Sequence, residues 1–286
     1  MQWNFAAAVL FSLLFAMVAV LVHGSRRWRI RTRALHARLE AARAPIAPPT
    51  VDFAELEPLP PPVQRYFRAV LRDGQPFVSA VRAEQTGTFN TSQQVPRWKP
   101  FTATQRITTR RPGFVWDARV RMGPGLDVHV WDAYLDGEGI LTGKVLGLAT
   151  VVHVSSCQAL AEGELMRYFG EATWYPTALL PSQGVRWQAV DERSAKAILR
   201  DGDIELTMLF RFDERDLIES FYVTSRGRTV GDRVVATPWE GRYGRYERHG
   251  GMLVPIEGEV RWLPPDGPPF PYWRGRLARL EYQFAT

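Results

Sequence analysis

The sequence predicts a mainly β fold: a large curved antiparallel sheet of about ten to twelve strands, one inserted helix as a lid, and an N-terminal transmembrane helix. Three observations support this fold. An uncharged apolar run lies near the amino terminus, and beyond Phe77 apolar residues recur at every second position, as in half-buried antiparallel strands. One stretch between the strands has helical spacing instead. A sheet of this size curls into a half-barrel or open barrel, or splits into a sandwich.

The apolar run extends from Phe5 to Val22, which is at the lower end of the length that spans a bilayer. A cleaved secretory signal would have a basic segment ahead of its apolar part, and none is present here. Basic residues follow the run instead: Arg26, Arg27, Arg29, Arg31 and Arg33. By the positive-inside rule, we expect residues 1–24 to be an uncleaved single-pass anchor in a bacterial inner membrane, with the soluble domain in the cytoplasm.

Residues 25–62 differ in composition from what precedes and follows them. Basic and apolar residues alternate from Arg26 to Arg43, which predicts a helix along the membrane surface whose arginines attract anionic lipid. Pro45 to Pro62 then form a proline-rich linker that is too stiff and donor-poor to be core. Residues 63–286 are expected to form a single β-rich domain, which begins with a short helix at Val63 to Leu71.

The strand prediction depends on alternation between turn signals. Apolar and polar residues alternate over Gly113 to Met122, Asp203 to Phe212 and Arg274 to Phe284. Turn dipeptides separate such runs: Asp136-Gly137, Asp201-Gly202, Gly250-Gly251 and Asp266-Gly267. There is no alternation of strands with helices, so a parallel sheet is not expected.

Composition excludes several function classes. The net charge of +6 is carried almost wholly by arginine, with only three lysines, which is typical of a GC-rich genome and not of a nucleic-acid-binding stripe. The single Cys157 excludes an intrachain disulfide, and the isolated histidines do not have zinc-site spacing. No P-loop, dinucleotide fingerprint or nucleophile elbow is present, so we expect neither a metal nor a cofactor.

The helical stretch runs from Gln158 to Ala172, and Ser155 or Ser156 is a suitable N-cap. Leu165 and Phe169 share a flank that predicts packing on the sheet. Pro176 stops the helix soon afterwards, so the helix is expected to cover the mouth of the sheet.

Three carboxylates are candidate catalytic groups. Glu164 and Glu171 lie about two turns apart, roughly 10 Å, which is near the upper limit for an acid/base pair. Arg167 lies between them, so an exposed ion-pair ladder is the simpler interpretation. Asp132 and Asp117 occur in a repeated Trp-Asp-Ala tripeptide, where each could point into a cavity beside a tryptophan or pair with an arginine.

Aromatic residues next to these groups are candidate contacts for an apolar ligand. The predicted binding set is Trp116, Trp131, Tyr168, Trp174 and Tyr175. Trp174 and Tyr175 are expected to be largely buried where the helix meets the sheet.

Several long motifs resemble a bacterial family known only as a domain of unknown function. They include RYFRAVL, WKPFTATQ, PGFVWDARV, WDAYLDGEG, GELMRYFGEATWYPTALLP, VRWLP and PYWRG, and they extend from about Pro61 to Tyr282. The resemblance implies a small membrane-anchored protein built mostly of strands, and it implies no activity. The architecture is also similar to the half-barrels of lipoprotein-carrier proteins, in which a helix covers an apolar concave sheet.

Two functional hypotheses follow. In the first, the concave sheet binds a lipid or other apolar ligand, which accounts for the ten tryptophans and the absence of a nucleophile motif. In the second, the protein is a membrane-associated hydrolase that uses Glu164, Glu171 or Asp132. A non-catalytic scaffold is a third possibility without a positive mark in the sequence. We favour binding over catalysis.

Overall fold

The computed structural model describes residues 2–155, 157–231 and 233–286. Three α-helices are present in this part of the chain: α1 (Gln2–Ala41), α2 (Pro61–Val70) and α3 (Gln158–Glu171). The strands are β1 (Val78–Asn90), β2 (Trp98–Thr108), β3 (Gly113–Gly123), β4 (Leu126–Leu135), β5 (Glu138–Val145), β6 (Ala149–Ser155), β7 (Arg186–Asp191), β8 (Ser194–Asp201), β9 (Ile204–Phe212), β10 (Ile218–Val230), β11 (Arg233–His249), β12 (Met252–Trp262) and β13 (Phe270–Phe284). Four short 3₁₀ segments lie at Phe53–Leu56, Ala172–Trp174, Pro176–Leu179 and Pro181–Gln183.

All thirteen strands belong to one sheet, in the order β6-β5-β4-β3-β2-β1-β13-β12-β11-β10-β9-β8-β7. Every adjacent pair is antiparallel, and the first and last strands pair at the centre of the sheet. The predicted mainly β fold is therefore confirmed, with one strand more than the upper end of the predicted number. The alternation in β3 is confirmed as well, because Phe114, Trp116, Ala118 and Val120 enter one core cluster.

Helix α3 connects the two edge strands, β6 and β7, and lies in the concavity of the sheet. It contacts β3, β4 and β5 in one half and β9 and β10 in the other, so the sheet must curve around it. The predicted apolar flank is buried, since Leu165 and Phe169 are both almost inaccessible to solvent. Cys157 occupies the N-cap position, Ser155 ends β6, and the alternative cap Ser156 lies outside the described residues.

Side chains join distant strands where the curved sheet brings them together. Tyr134 Oη, at the end of β4, donates to Asp201 Oδ2 at the end of β8 over 2.7 Å. Arg111 Nε donates to the other oxygen of Asp201 over 3.3 Å. These bonds hold the two halves of the sheet around α3.

Helix α1 extends across the outer face of the sheet. Its N-terminal part is long and apolar enough to cross a membrane. The prediction that the following part lies on the membrane surface is wrong, since its buried side chains pack on the sheet. Trp28, for example, stacks on Trp131 with ring centroids 3.6 Å apart. Leu39 joins Val115 and Ala133 in a small cluster under the same helix. The five arginines on this part of α1 remain exposed.

The proline-rich segment is attached to the body of the protein. Ile46, Val51 and Leu56 from this segment are buried in the main core cluster, contrary to the expectation that it contributes no core. The short helix predicted at Val63 to Leu71 is α2, which is shifted towards the amino terminus, and Tyr66, Phe67 and Val70 bury its apolar face.

Candidate functional site

A cavity of about 460 Å³ lies between α3 and the concave face of the sheet. This volume is within the range of small-molecule sites in proteins. Aromatic side chains form a large part of its wall, and a charged cluster from α3 and β4 lies on one side of it. The cavity-lining residues include Trp116, Val130, Asp132, Leu141, Glu164, Arg167, Glu171, Trp174, Phe221, Arg226, Trp239, Trp262, Phe270, Tyr272 and Trp273.

Arg167 is the centre of the charged cluster. Its Nη1 donates to Asp132 Oδ2 over 2.5 Å, and its Nε donates to Glu171 Oε1 over 2.8 Å. The guanidinium also lies over the rings of Phe114 and Trp116, at 5.0 and 4.8 Å from their centroids. Burial alone would lower the pKa of Arg167, but the carboxylates around it outweigh this effect and raise the pKa, so the arginine stays charged.

Glu164 lies beside this cluster, and its Oε1 is 3.6 Å from Arg226 Nη2. Burial raises the pKa of Glu164 well above its ordinary value, and Asp132 raises it further, while Arg226 and Arg167 oppose the shift. Among the described residues, Glu164 Oε2 and Asp132 Oδ1 are buried and have no hydrogen-bond partner. A proton on Glu164 that is shared with Asp132 would satisfy both atoms, as would a ligand that donates hydrogen bonds there.

A chain of buried amides supports the other side of the cluster. Trp116 Nε1 donates to Gln85 Oε1, Gln85 Nε2 donates to Gln105 Oε1, and Gln105 Nε2 donates to Glu171 Oε2 over 2.6 Å. Both oxygens of Glu171 are therefore occupied. This network fixes the position of Glu171. Of the three carboxyl groups around Arg167, only Glu164 and Asp132 therefore each have an oxygen without a hydrogen-bond donor among the described residues.

The prediction of an exposed ion-pair ladder on α3 is wrong. The local Arg167–Glu171 pair is present, but each side chain is only 13% exposed, and that of Glu164 is 5% exposed. The face of α3 that carries them points into the cavity, because its opposite flank packs against the sheet. All three predicted carboxylates, Glu164, Glu171 and Asp132, are thus brought together around Arg167.

The repeated Trp-Asp-Ala tripeptides lie side by side on β3 and β4 with opposite orientations. Trp116 pairs with Asp132, and Asp117 pairs with Trp131, so the two copies are offset by one residue. Trp116 and Asp132 face the cavity. Asp117 and Trp131 face α1, where Asp117 accepts hydrogen bonds from Trp28 Nε1 and Thr32 Oγ1. Burial raises the pKa of Asp117, and these two bonds oppose the shift.

The structure separates the five predicted aromatic contacts. Trp116 and Trp174 line the cavity, whereas Trp131 lies on the opposite face of the sheet. Tyr168 and Tyr175 are buried in the core beside α3, and Tyr175 Oη donates to the carbonyl oxygen of Tyr168 over 3.0 Å. Trp174 and Tyr175 are both largely buried, as expected.

Sequence reasoning missed the half of the cavity that β10 to β13 form. Arg226 donates to Tyr272 Oη and lies 4.2 Å over the ring of Trp239. It faces inward because the register of β10 against β11 shifts by one residue between Val223 and Arg226, opposite Pro238. A buried arginine at a bulge breaks the alternating pattern, so alternation could not identify it.

The solved structures that are similar to this chain have low sequence identity to it. None of the curated proteins matches the chain. Among solved structures, a LolA superfamily protein from Nitrosomonas europaea is 8% identical, with a TM-score of 0.33 over 78% of this chain and 92% of that one. A beta-barrel-like protein of the unknown-function domain DUF1849 from Brucella abortus is 13% identical, with a TM-score of 0.22 over 72% and 99%. Similarity at this level says nothing about what this chain binds.

The family match covers most of the chain and coincides with the predicted extent of the motifs. The family of unknown function DUF6920 matches residues 57–282, which include α2, α3 and every strand from β1 to β12. The chain therefore belongs to DUF6920.

Proposed function

We propose that the protein binds a lipid-like amphiphile in the cavity between α3 and the sheet. One observation carries this proposal: the same cavity contains many aromatic side chains and a buried charged cluster around Arg167. An apolar chain would lie against Trp239, Trp262 and Trp273, while its polar end would reach the unpartnered oxygens of Glu164 and Asp132.

A cavity-filling variant tests this proposal. Leu141 on β5 lines the cavity, so Leu141→Trp is expected to occupy ligand space and to reduce the lipid that co-purifies with the detergent-extracted protein, measured by mass spectrometry. Val190→Trp is the matched control, because Val190 is exposed on the edge strand β7 and lies away from the cavity. Equal lipid content in the wild type and both variants would contradict the proposal.

Acid–base hydrolysis is a second candidate, and one specific observation favours it. Glu164 and Asp132 have buried, unpartnered oxygens in the cavity, and the pKa of Glu164 is raised, as a general acid requires. Binding is preferred because Asp132 and Glu171 are both held by Arg167. The same proteins, with Glu164→Gln and Glu171→Gln, would be screened against ester and glycoside substrates. Turnover that is lost in either variant would contradict the proposed binding function and support hydrolysis.

We also propose that residues 5–22 anchor the protein in the bacterial inner membrane with the sheet in the cytoplasm. The exposed arginines after the span support this orientation. Those next to the span, Arg26 and Arg27, each add about 1 kcal/mol of attraction to an anionic leaflet. A phosphatase fused after Thr286 is then expected to be inactive, whereas a cytoplasmic reporter at that position should be active. An active phosphatase fusion, or a mature chain that begins at Ser25, would show the opposite topology.

A further inference from the structure

The direction of α1 across the sheet is defined by contacts along its length. Gly24 packs against the turn between β5 and β6, so closely that a Cβ added to Gly24 would lie 2.6 Å from the carbonyl oxygen of Leu146. Further along, Trp28 stacks on Trp131 in the middle of β4. Arg38 pairs with Glu138 at the opposite end of β5. The helix thus runs from one end of the strands to the other.

The apolar part of α1 leaves the sheet at the end where residues 146–148 lie. Since consecutive strands are antiparallel, residues 91–97 and 124–125 lie at this same end. In the other half of the sheet, the pairing of β1 with β13 places residues 263–269 there too, with the end of β10 and the start of β11. Gln93 Nε2 donates to the carbonyl oxygen of Thr229, which joins the two halves. We call this the exit end of the sheet.

Apolar side chains are exposed at the tips of the exit end. Val95, between β1 and β2, is 66% exposed. Leu126, at the start of β4, is 43% exposed, and Val234, near the start of β11, is 62% exposed. Val22 is two residues before Gly24, about 3 Å along the helix axis, so a bilayer that contains residues 5–22 would begin next to these tips. Exposed Arg26 and Arg27 add positive charge at the same level.

The mouth of the cavity is at the exit end as well. Asn90, Gln93, Thr229, Trp262 and Phe270 line it there, at or next to the ends of β1, β10, β12 and β13. The charged cluster around Arg167 lies deeper, under α3. The mouth therefore combines aromatic with polar side chains. Beside an anchoring helix, such a mouth suits an amphiphilic ligand that is already in a membrane.

We propose that the exit end rests on the bilayer surface, so that the cavity opens directly onto the lipid. This inference rests on the proposed anchor and deepens the proposed binding function, since it identifies the ligand as a component of the adjacent membrane leaflet. The ligand passes between leaflet and cavity without entering water.

Labels at the two ends of the sheet test this arrangement. The full chain with Cys157→Ser would carry a single environment-sensitive fluorophore on Leu126→Cys or Val234→Cys, and on Glu214→Cys at the opposite end as the control. Each protein is reconstituted in vesicles of phosphatidylethanolamine and phosphatidylglycerol. Nitroxide-labelled lipid should quench the labels at positions 126 and 234 and aqueous iodide should not, whereas the label at position 214 should show the reverse.

The outcomes separate this inference from the proposed function. Labels at positions 126 and 234 that iodide quenches as strongly as the label at position 214 would overturn it. Labels shielded from both quenchers would also overturn it, because protein would then cover the exit end. The lipid bound by the wild type and by Leu141→Trp is measured in the same preparation. A difference in bound lipid tests cavity binding, whereas quenching of the labels tests membrane contact, so either proposal can be contradicted without the other.

Discussion

Replacing Trp174 with alanine is expected to lower the free energy of unfolding by about 3–5 kcal/mol. Trp174 follows α3, is 4% exposed and packs where the helix meets the sheet, so its removal leaves a large void. Its carbonyl oxygen accepts a hydrogen bond from Tyr282 Oη in β13, and this backbone contact would remain after the substitution. Chemical denaturation of the detergent-solubilised protein measures the change.

Trp98→Ala is the matched control for this experiment. Trp98 is half-buried at the start of β2, where Arg274 lies over its ring at 4.4 Å. Because less apolar surface is buried there, its loss should cost clearly less than the loss of Trp174. A Trp174→Ala protein as stable as the wild type would show that the segment after α3 does not hold the core together.

Replacing Arg167 with methionine is expected to destabilise the protein by a similar amount, about 3–5 kcal/mol, because it removes the cation from a buried group of carboxylates. Asp132 and Glu171 each lose a direct hydrogen bond, and Glu164 loses a nearby positive charge. Arg186→Met is the control, since its partner Glu205 is 52% exposed and such surface pairs contribute at most about 1 kcal/mol.

The loss should depend on pH with a defined sign. The pKa of Glu164 in the folded protein is raised by burial and by Asp132. The protonated Glu164 side chain therefore contributes its full stabilisation in acid, and this stabilisation is lost as pH rises through the pKa of the folded state. Without Arg167, which lowers the pKa of Glu164, the shift becomes larger. The difference between wild type and Arg167→Met should therefore be greater at pH 8 than at pH 5. A difference that is independent of pH would contradict this account.

The sequence predicts which residues share a face of a strand, but not which face becomes concave. The alternation in β3 correctly separates Trp116 from Asp117. It cannot show that β4 pairs with a one-residue offset, which turns Trp131 towards α1 and Asp132 towards the cavity. That choice depends on the register between strands and on the curvature of a sheet whose halves are distant in sequence.

Two further features of the site depend on contacts that local patterns do not encode. The spacing of Glu164, Arg167 and Glu171 predicts their proximity on α3, but their burial follows from the connection of α3 to both edge strands. The packing of α1 had a readable signal: Gly24, Trp28 and Thr32 recur every four residues and form one stripe. The arginines between them led instead to the prediction of a membrane-surface helix.

The pairing of β1 with β13 at the centre of the sheet has a consequence for how the chain folds during synthesis. This seam joins residues 78 and 284, so it has a high loop-closure cost, whereas the strands on either side of it form as consecutive hairpins. On the ribosome, one side of β1 has no partner strand until residue 284 has been synthesised. An unpaired edge of this kind promotes aggregation. The nascent chain therefore depends on keeping β1 protected until translation of β13 is complete.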